Sequence, residues 1–326
     1  MNLRSLHERE LISAIRKEFS VRRRGLVTGI GDDAAVIKSP SGSLLLTTDL
    51  QIEDIHFIAS LHPPYYLGRK ALNVNLSDIA AMGGRPRFTL LSLALRPAAK
   101  RRDLVKFLEG FKSAAEESGT ALVGGDVSAS AKMTVSVTVI GEARQPILRS
   151  GARPGDHIFV SGCMGDAAAG LRLLKKGYRL GKSNRADVLL RAFLDPAPRI
   201  KLGLALSRLR AATAMIDTSD GLSVDLLHLC QESGTGAVIY AEKLPLSPGL
   251  RFFEKKPESL ALHGGEDYQL LFAVRPESLD AVASLQRRHD LHLIGKMRRG
   301  RGISLIDGKG RRRALEPGGF EHLSGR

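Results

Sequence analysis

From Ala71 to Gly84 the chain carries a single charged residue, Asp78. The surrounding stretch, Tyr66 to Met82, reads as a helix, and a helix that apolar must be covered on most sides by other layers. A lone carboxylate in such a setting is costly unless a cation meets it. Asp78 therefore calls for a metal ion or, alternatively, for a nearby guanidinium such as that of Arg85. Asn75, three residues earlier on the same face, is placed to add a polar contact.

A second stretch repeats the demand. The apolar run Ala211 to Ile216 stops at Asp217-Thr-Ser-Asp220-Gly and restarts as the amphipathic run Leu222 to Leu229. A strand that turns through acids and glycine into a helix puts carboxylates and free backbone N–H groups at one spot. Carboxylates repel polyphosphate, so a hard divalent cation must bridge them, and Mg²⁺ is the usual choice. Similar punctuation recurs at Gly29-Ile-Gly-Asp32-Asp33, Thr47-Thr48-Asp49, Gly124-Gly125-Asp126 and His263-Gly264-Gly265-Glu266-Asp267. The runs before Thr47 and before Gly124 read as strands stopping at their oxygen ligands. Any one such turn is ordinary; together they indicate a cluster that binds several cations.

At 326 residues the chain is long for one core, and two domains are expected. With 43% hydrophobic and 25% charged residues it reads as a globular chain, not a disordered one. There is no long apolar run and no apolar core in the first ten residues, so no membrane association and a cytoplasmic location are expected. Cys163 and Cys230 lack metal or redox spacing and read as small buried side chains. The net charge of +15 raises nucleic-acid binding as a possibility. Its basic runs, Arg22–Arg24, Lys100–Arg102, Arg298–Arg301 and Arg311–Arg313, lack interleaved aromatics and read as solvated faces, so no nucleic-acid partner is expected.

The remaining pattern alternates helices and strands. Leu11, Ile12, Ile15 and Phe19 mark an amphipathic helix, and Lys100 to Ser118 a second that Gly119 stops. Met133, Val135, Val137 and Val139 alternate as a half-buried strand, and residues 141–155 read as a linker. No P-loop is present. Gly29-Ile-Gly31-Asp32-Asp33-Ala34 fits a dinucleotide turn only superficially, because its acids would repel pyrophosphate. No Ser-His-Asp order or zinc-protease helix appears.

Gly29-Ile-Gly-Asp-Asp, Thr47-Thr-Asp49 with His56-Phe57, Asn75-Leu-Ser-Asp78-Ile-Ala-Ala-Met-Gly, Gly124-Gly-Asp126, Arg149-Ser-Gly-Ala-Arg-Pro-Gly-Asp, Asp217-Thr-Ser-Asp220-Gly and Gly264-Gly-Glu-Asp-Tyr, taken together, resemble the thiamine-monophosphate kinase family. The resemblance runs from about residue 29 to the tail. It implies a two-domain α/β (α+β) architecture of the aminoimidazole ribonucleotide synthetase type. Residues 1–148 would form an N-terminal sheet domain for ATP and Mg²⁺ binding and for homodimerisation, and 149–326 a C-terminal α/β domain. The implied reaction is Mg²⁺-assisted, in-line transfer of the γ-phosphoryl group of ATP onto thiamine monophosphate, the last step to thiamine diphosphate. A related ATP-dependent synthetase acting on another small phosphorylated substrate is the alternative.

Matched residue by residue, Asp33, Thr47, Thr48, Asp49, Asp78, Asp126, Asp217 and Asp220 fall on the family's metal positions. Gly125, Asp126, Arg149 and Ser219 fall on nucleotide contacts, and His56, Glu266 and Phe320 on contacts to the thiamine end, where a carboxylate and an aromatic face suit a cationic ring. No protein nucleophile or strong base is expected, because the acceptor phosphate is already ionised near neutral pH. Thr47, Leu50, Val127 and His263 depart from the residues common in the family.

Overall fold

The structure, a computed structural model, describes residues 26–28, 32–33, 35–39, 42–96, 98–286 and 288–319. The helix expected over Leu11–Phe19, the Gly29–Gly31 part of the first acidic turn, and Phe320 lie outside the described residues.

Strands β1 (Leu26–Thr28), β2 (Ala35–Ser39), β3 (Gly42–Ile52), β4 (Arg85–Leu95), β5 (Ala121–Ala129) and β6 (Thr134–Ala143) form one sheet in the order β1-β2-β3-β6-β4-β5. Its strands pair antiparallel except β4 with β5. The period-2 pattern expected around Val135, Val137 and Val139 is present, and these valines point inward with Leu45, Leu91 and Leu93. Helices α1 (Pro64–Ala81) and α2 (Arg101–Ser118) cover that face with Leu72, Leu76, Ile79, Phe107 and Phe111. Their backbones meet closely through glycine. A Cβ on Gly68 would sit 1.9 Å from the Phe107 carbonyl oxygen, and one on Gly110 would sit 1.8 Å from that of Tyr65.

The second sheet has the order β13-β12-β9-β11-β7-β10-β8. It is built from β7 (His157–Ser161), β8 (Ala212–Asp217), β9 (Gly236–Tyr240), β10 (Leu270–Val274), β11 (Leu291–Arg298), β12 (Ile303–Ile306) and β13 (Arg312–Ala314). Helices α3 (Asp166–Lys175), α4 (Asn184–Leu194), α5 (Ile200–Leu209), α6 (Leu222–Ser233), α7 (Pro248–Phe253), α8 (Pro257–His263) and α9 (Leu279–Gln286) accompany it. Leu226 and Leu229 of α6 join Ile216, Ile239 and Ile294 in one cluster; Leu206 of α5 and Val282 of α9 join Phe159, Met215 and Phe272 in another. Alternate residues of β7, β8 and β10 thus feed separate cores, as sheet pleating requires.

Helix α1 is the shared wall. Most of its apolar residues serve the first sheet, while Ala80 and Ala81 pack with Phe159, Leu202 and Met215 of the second body. This two-sided burial is why its sequence tolerates so little charge. No helix among the described residues is long and apolar enough to cross a membrane.

Several expectations change. Asp49 and Asp126 lie inside strands, not at their ends, because β3 keeps pairing with β6 through Ile52 and β5 keeps pairing with β4 through Ala129. Strand β6 runs two residues beyond Gly141, into the segment expected to be linker, since the same ladder holds Ala143 opposite Ser43. Asn75 is fully buried, but its amide donates to the carbonyl of Ala71 in its own helix. Cys230 is buried, whereas Cys163 is only half-buried.

Candidate active site

A cleft of about 960 Å³ lies where α1, β3, the β6–β7 connection, the β8–α6 turn and the loop before β10 converge. Lys70, Val74 and Asp78 line it from α1, at the four-residue spacing that puts side chains in a row.

At one end, carboxylate oxygens of Asp33, Asp78 and Asp217 all lie within 4.8 Å of one another. Adjacent residues of α1 tie this group to both sheets. The Thr47 hydroxyl of β3 donates to Asp78 at 2.5 Å, and the Ser77 hydroxyl donates to Asp217, at the end of β8, at 2.6 Å. Burial, then the charges of Asp49, Asp217 and Asp33, push the Asp78 carboxyl well above the ordinary carboxylate range. Burial and Asp33 push Asp217 up to about 8. Among the described residues, one oxygen of Asp33 is buried with no hydrogen-bond partner.

Arg149 offsets part of this charge. Its guanidinium binds Asp33 through Nη2 and, at 3.2 Å, through Nε, while its backbone N–H donates to Asp32 at 3.2 Å. Burial works against the guanidinium, but Asp33 and Asp32 outweigh it and hold its pKa above the usual value. Burial and Asp33 raise Asp32 to about 6. Asp78 is thus met by Thr47, and Arg149 rather than Arg85 is the guanidinium that enters the acid cluster.

The β8–α6 turn and the segment before β10 are stitched together past the strand ends. Backbone N–H groups of Glu266 and Tyr268 donate to the carbonyls of Ser219 and Thr218 at 2.7 and 2.8 Å. This requires Glu266 and Tyr268 to adopt φ of 70° and 48°, costly conformations for residues with side chains. A Cβ on Gly265 would sit 2.7 Å from the Ser219 carbonyl oxygen, which explains glycine there. Glu266 thereby faces the same cleft as Asp217, Ser219 and Asp220.

The other end of the cleft is aromatic and basic. The Lys70 ammonium lies 2.7 Å from a Glu266 carboxylate oxygen and 3.9 Å from the centre of the Phe193 ring. His62 packs 5.0 Å from Phe193, and burial together with the Lys70 charge pushes its imidazole down to about 3, so it is neutral.

Among the residues singled out by sequence, Asp33, Thr47, Thr48, Asp49, His56, Asp78, Arg149, Asp217, Ser219, Asp220 and Glu266 all line this cleft. Thr48 does so with its hydroxyl turned to the other side of its strand, where it meets the Val137 carbonyl at 3.1 Å and Thr138 at 3.0 Å. The His56 ring accepts the Ile52 N–H at 3.0 Å. Gly125 and Asp126 are not among the cleft-lining residues; they sit on the exposed edge strand β5. Sequence reasoning passed over Lys70, His62 and Phe193 as site residues. The row Lys70–Val74–Asp78 was the available signal for the first. Asp225 is buried and accepts the Gly221 N–H at 3.0 Å, so it braces the acidic turn.

Comparison with known proteins bears on this geometry. Residues 31–143 match the N-terminal domain of AIR synthase related proteins, and residues 153–308 match the C-terminal domain. The chain is 38% identical to the thiamine-monophosphate kinase of Aquifex aeolicus over 330 residues, covering 99% of this chain and 100% of that protein. It is 37% identical to the thiamine-monophosphate kinase of Buchnera aphidicola subsp. Acyrthosiphon pisum, over 86% of this chain and 87% of that one. A solved structure of AaThiL complexed with AMPPCP and TMP superposes with a TM-score of 0.89 at 37% identity, covering 99% of each chain.

Proposed function

The chain belongs to the thiamine-monophosphate kinase family and phosphorylates thiamine monophosphate with ATP, and we propose that it does so by direct, Mg²⁺-assisted in-line transfer across the acidic cleft. The observation that carries the mechanism is the convergence of Asp33, Asp78 and Asp217, from three separate parts of the chain, on one wall of a cleft large enough for two phosphorylated molecules. AaThiL, similar over the whole chain, binds AMPPCP and TMP together, and a γ-phosphoryl donor and its acceptor are what such a cleft must hold.

The donor set fits Mg²⁺. Its ligands are hard carboxylate oxygens, one oxygen of Asp33 is buried and unpartnered among the described residues, and burial with mutual repulsion raises Asp78 and Asp217. Asp33, Asp78 and Asp217 would hold the metal, with Asp49 and Asp220 beside them. When bound, the ions supply charge neutralisation between donor and acceptor phosphates, whose repulsion is about 1 kcal/mol per unit-charge pair 4 Å apart in water and about 4 kcal/mol at an effective dielectric near 20.

The protein's own part is positional. Thr47 and Ser77 fix the carboxylates of Asp78 and Asp217 by hydrogen bonds. Arg149, already forked onto Asp33, is assigned to the nucleotide phosphates together with Ser219. His56 and Glu266 are assigned to the thiamine end, with Phe320 as their aromatic partner. No residue is assigned as nucleophile or base, because orienting two phosphates and cancelling their charge is most of what phosphoryl transfer requires.

The reading includes a cytoplasmic homodimer. Among the described residues strand β5 is an open edge carrying Leu122, Val123 and Val127, and Phe88 and Leu90 of neighbouring β4 are exposed beside it. A second copy of the chain is assigned to this face, and Gly125 and Asp126 on β5 to a nucleotide held across that interface. Mixing Asp126→Asn with Asp78→Asn protein tests the assignment: two inactive variants should regain activity in mixed dimers, and no recovery would count against it.

Product analysis tests the function itself. Protein, Mg²⁺, ATP and thiamine monophosphate should yield thiamine diphosphate and ADP in equal amounts, and chelating the metal should stop the reaction. ADP with inorganic phosphate, or no product with this acceptor, would contradict the reading.

A further inference from the structure

Lys70 reaches from α1 into the cleft wall with its side chain only 3% exposed. Beyond the Glu266 contact, no hydrogen-bond acceptor reaches its Nζ among the described residues. An ammonium has three donors, and leaving two of them unmet in a buried wall is unusual unless a ligand meets them. The Phe193 face at 3.9 Å and the neutral His62 beyond it supply no acceptor to Nζ. Both residues line the cleft, and Glu266, with its side chain 32% exposed, is the more open of the two.

The pair has a chemical consequence. A carboxylate whose charge is cancelled at 2.7 Å is a poor counter-ion for a cationic ring, but it remains a strong hydrogen-bond acceptor. Beside it stand ammonium N–H donors. An acceptor next to a donor complements an aminopyrimidine edge, where an exocyclic NH₂ lies next to a ring nitrogen, and thiamine monophosphate carries such a ring together with its thiazolium. We propose that Lys70 positions Glu266 as a neutralised acceptor, and that the two select the aminopyrimidine ring of thiamine monophosphate by hydrogen bonding rather than by charge. The inference rests on the kinase reading and adds a specificity-determining residue to it. Lys70 shares a helix face with Asp78, two turns away, so the element that carries the acid cluster also orients the substrate pocket.

The test compares thiamine monophosphate with oxythiamine monophosphate, in which an oxygen replaces the amino group and reverses the donor–acceptor order while the thiazolium charge is kept. Wild-type protein should favour thiamine monophosphate at least about tenfold in kcat/KM, because a site built for a hydrogen bond rejects an analogue that leaves its groups unpaired. Lys70→Met, which keeps the apolar stem against Phe193, should raise KM for thiamine monophosphate about tenfold, move KM for ATP far less, and reduce the preference to near unity. Glu266→Gln should lose the same preference. Retained discrimination in Lys70→Met, or KM values for ATP and thiamine monophosphate rising together, would overturn the inference. Should Lys70→Met not fold, Glu266→Gln decides in its place, and retained discrimination there overturns it equally. A wild-type protein that uses both acceptors equally well also overturns it, whereas one that uses neither contradicts the kinase reading and takes this inference with it.

Discussion

At one end of the cleft, Asp33, Asp78 and Asp217 crowd within 4.8 Å with Arg149 against them; at the other, Lys70 and Glu266 face each other one to one. The first arrangement leaves excess negative charge in a buried place, and the carboxyls of Asp78 and Asp217 respond by holding protons above their ordinary range. The second cancels its charge and keeps hydrogen-bonding capacity. Excess charge waits for a cation, whereas a cancelled pair waits for a shape and a donor–acceptor order. Metal dependence should therefore be confined to the first end and acceptor selectivity to the second.

The largest expected effect is at the acidic end. Asp78→Asn removes a carboxylate from the cluster while keeping an acceptor for the Thr47 hydroxyl, so turnover should fall by about a thousandfold or more without loss of the folded state. Asp49→Asn should act in the same direction. Near-normal kcat in either would break the contrast, because the cluster would then be structural.

A smaller effect is expected from Arg149→Ala. It strands Asp33 among like charges, and should cost about 2 kcal/mol of stability in denaturant titrations while raising KM for ATP about tenfold. An unchanged KM for ATP would remove Arg149 from the nucleotide site and leave it as a counter-charge only. Glu266→Gln is expected to be milder still: KM for thiamine monophosphate should rise about tenfold, with the Mg²⁺ concentration for half-maximal rate unmoved. A shifted Mg²⁺ requirement would merge the two ends into one.

The acidic end was the more legible of the two in the sequence, and the reason is burial. A lone acid in a run as apolar as 71–84 advertises itself, and Asp217 sits where an apolar strand meets a Gly-containing turn. Helix α1, the inward valines of β6 and the Gly119 stop were readable for the same reason, since local periodicity and tertiary burial agree there. Lys70 escaped notice because it stands at the polar margin of the apolar run, where a lysine is usually solvated. Only the packing of Phe193 from α4 and the arrival of Glu266 from far along the chain bury it. Asp49 and Asp126 were expected at strand ends because acids usually terminate strands. Strand pairing overrode that local signal, and only the faces that β3 and β5 present explain how the acids are tolerated. Thr48, one residue from Asp49, necessarily points to the opposite face of the sheet, which is a consequence of pleating that a motif read as a block does not convey.

The smallest effect tests the central contrast most directly, through thermal unfolding of wild type and Asp217→Asn with and without Mg²⁺. The folded-state pKa of Asp217 is raised from 3.8 to about 8, so between those values the folded protein keeps a proton that the unfolded chain has released. The stability contributed by this group is therefore present at low pH and is lost as pH rises from about 4 to about 8. Without divalent cation, the midpoint of Asp217→Asn minus that of wild type should be larger near pH 8 than near pH 5. Near pH 8, Mg²⁺ should raise the wild-type midpoint by several degrees and move the variant much less. Equal shifts in both proteins, or none in either, would contradict the claim that these carboxylates are gathered to hold a metal ion.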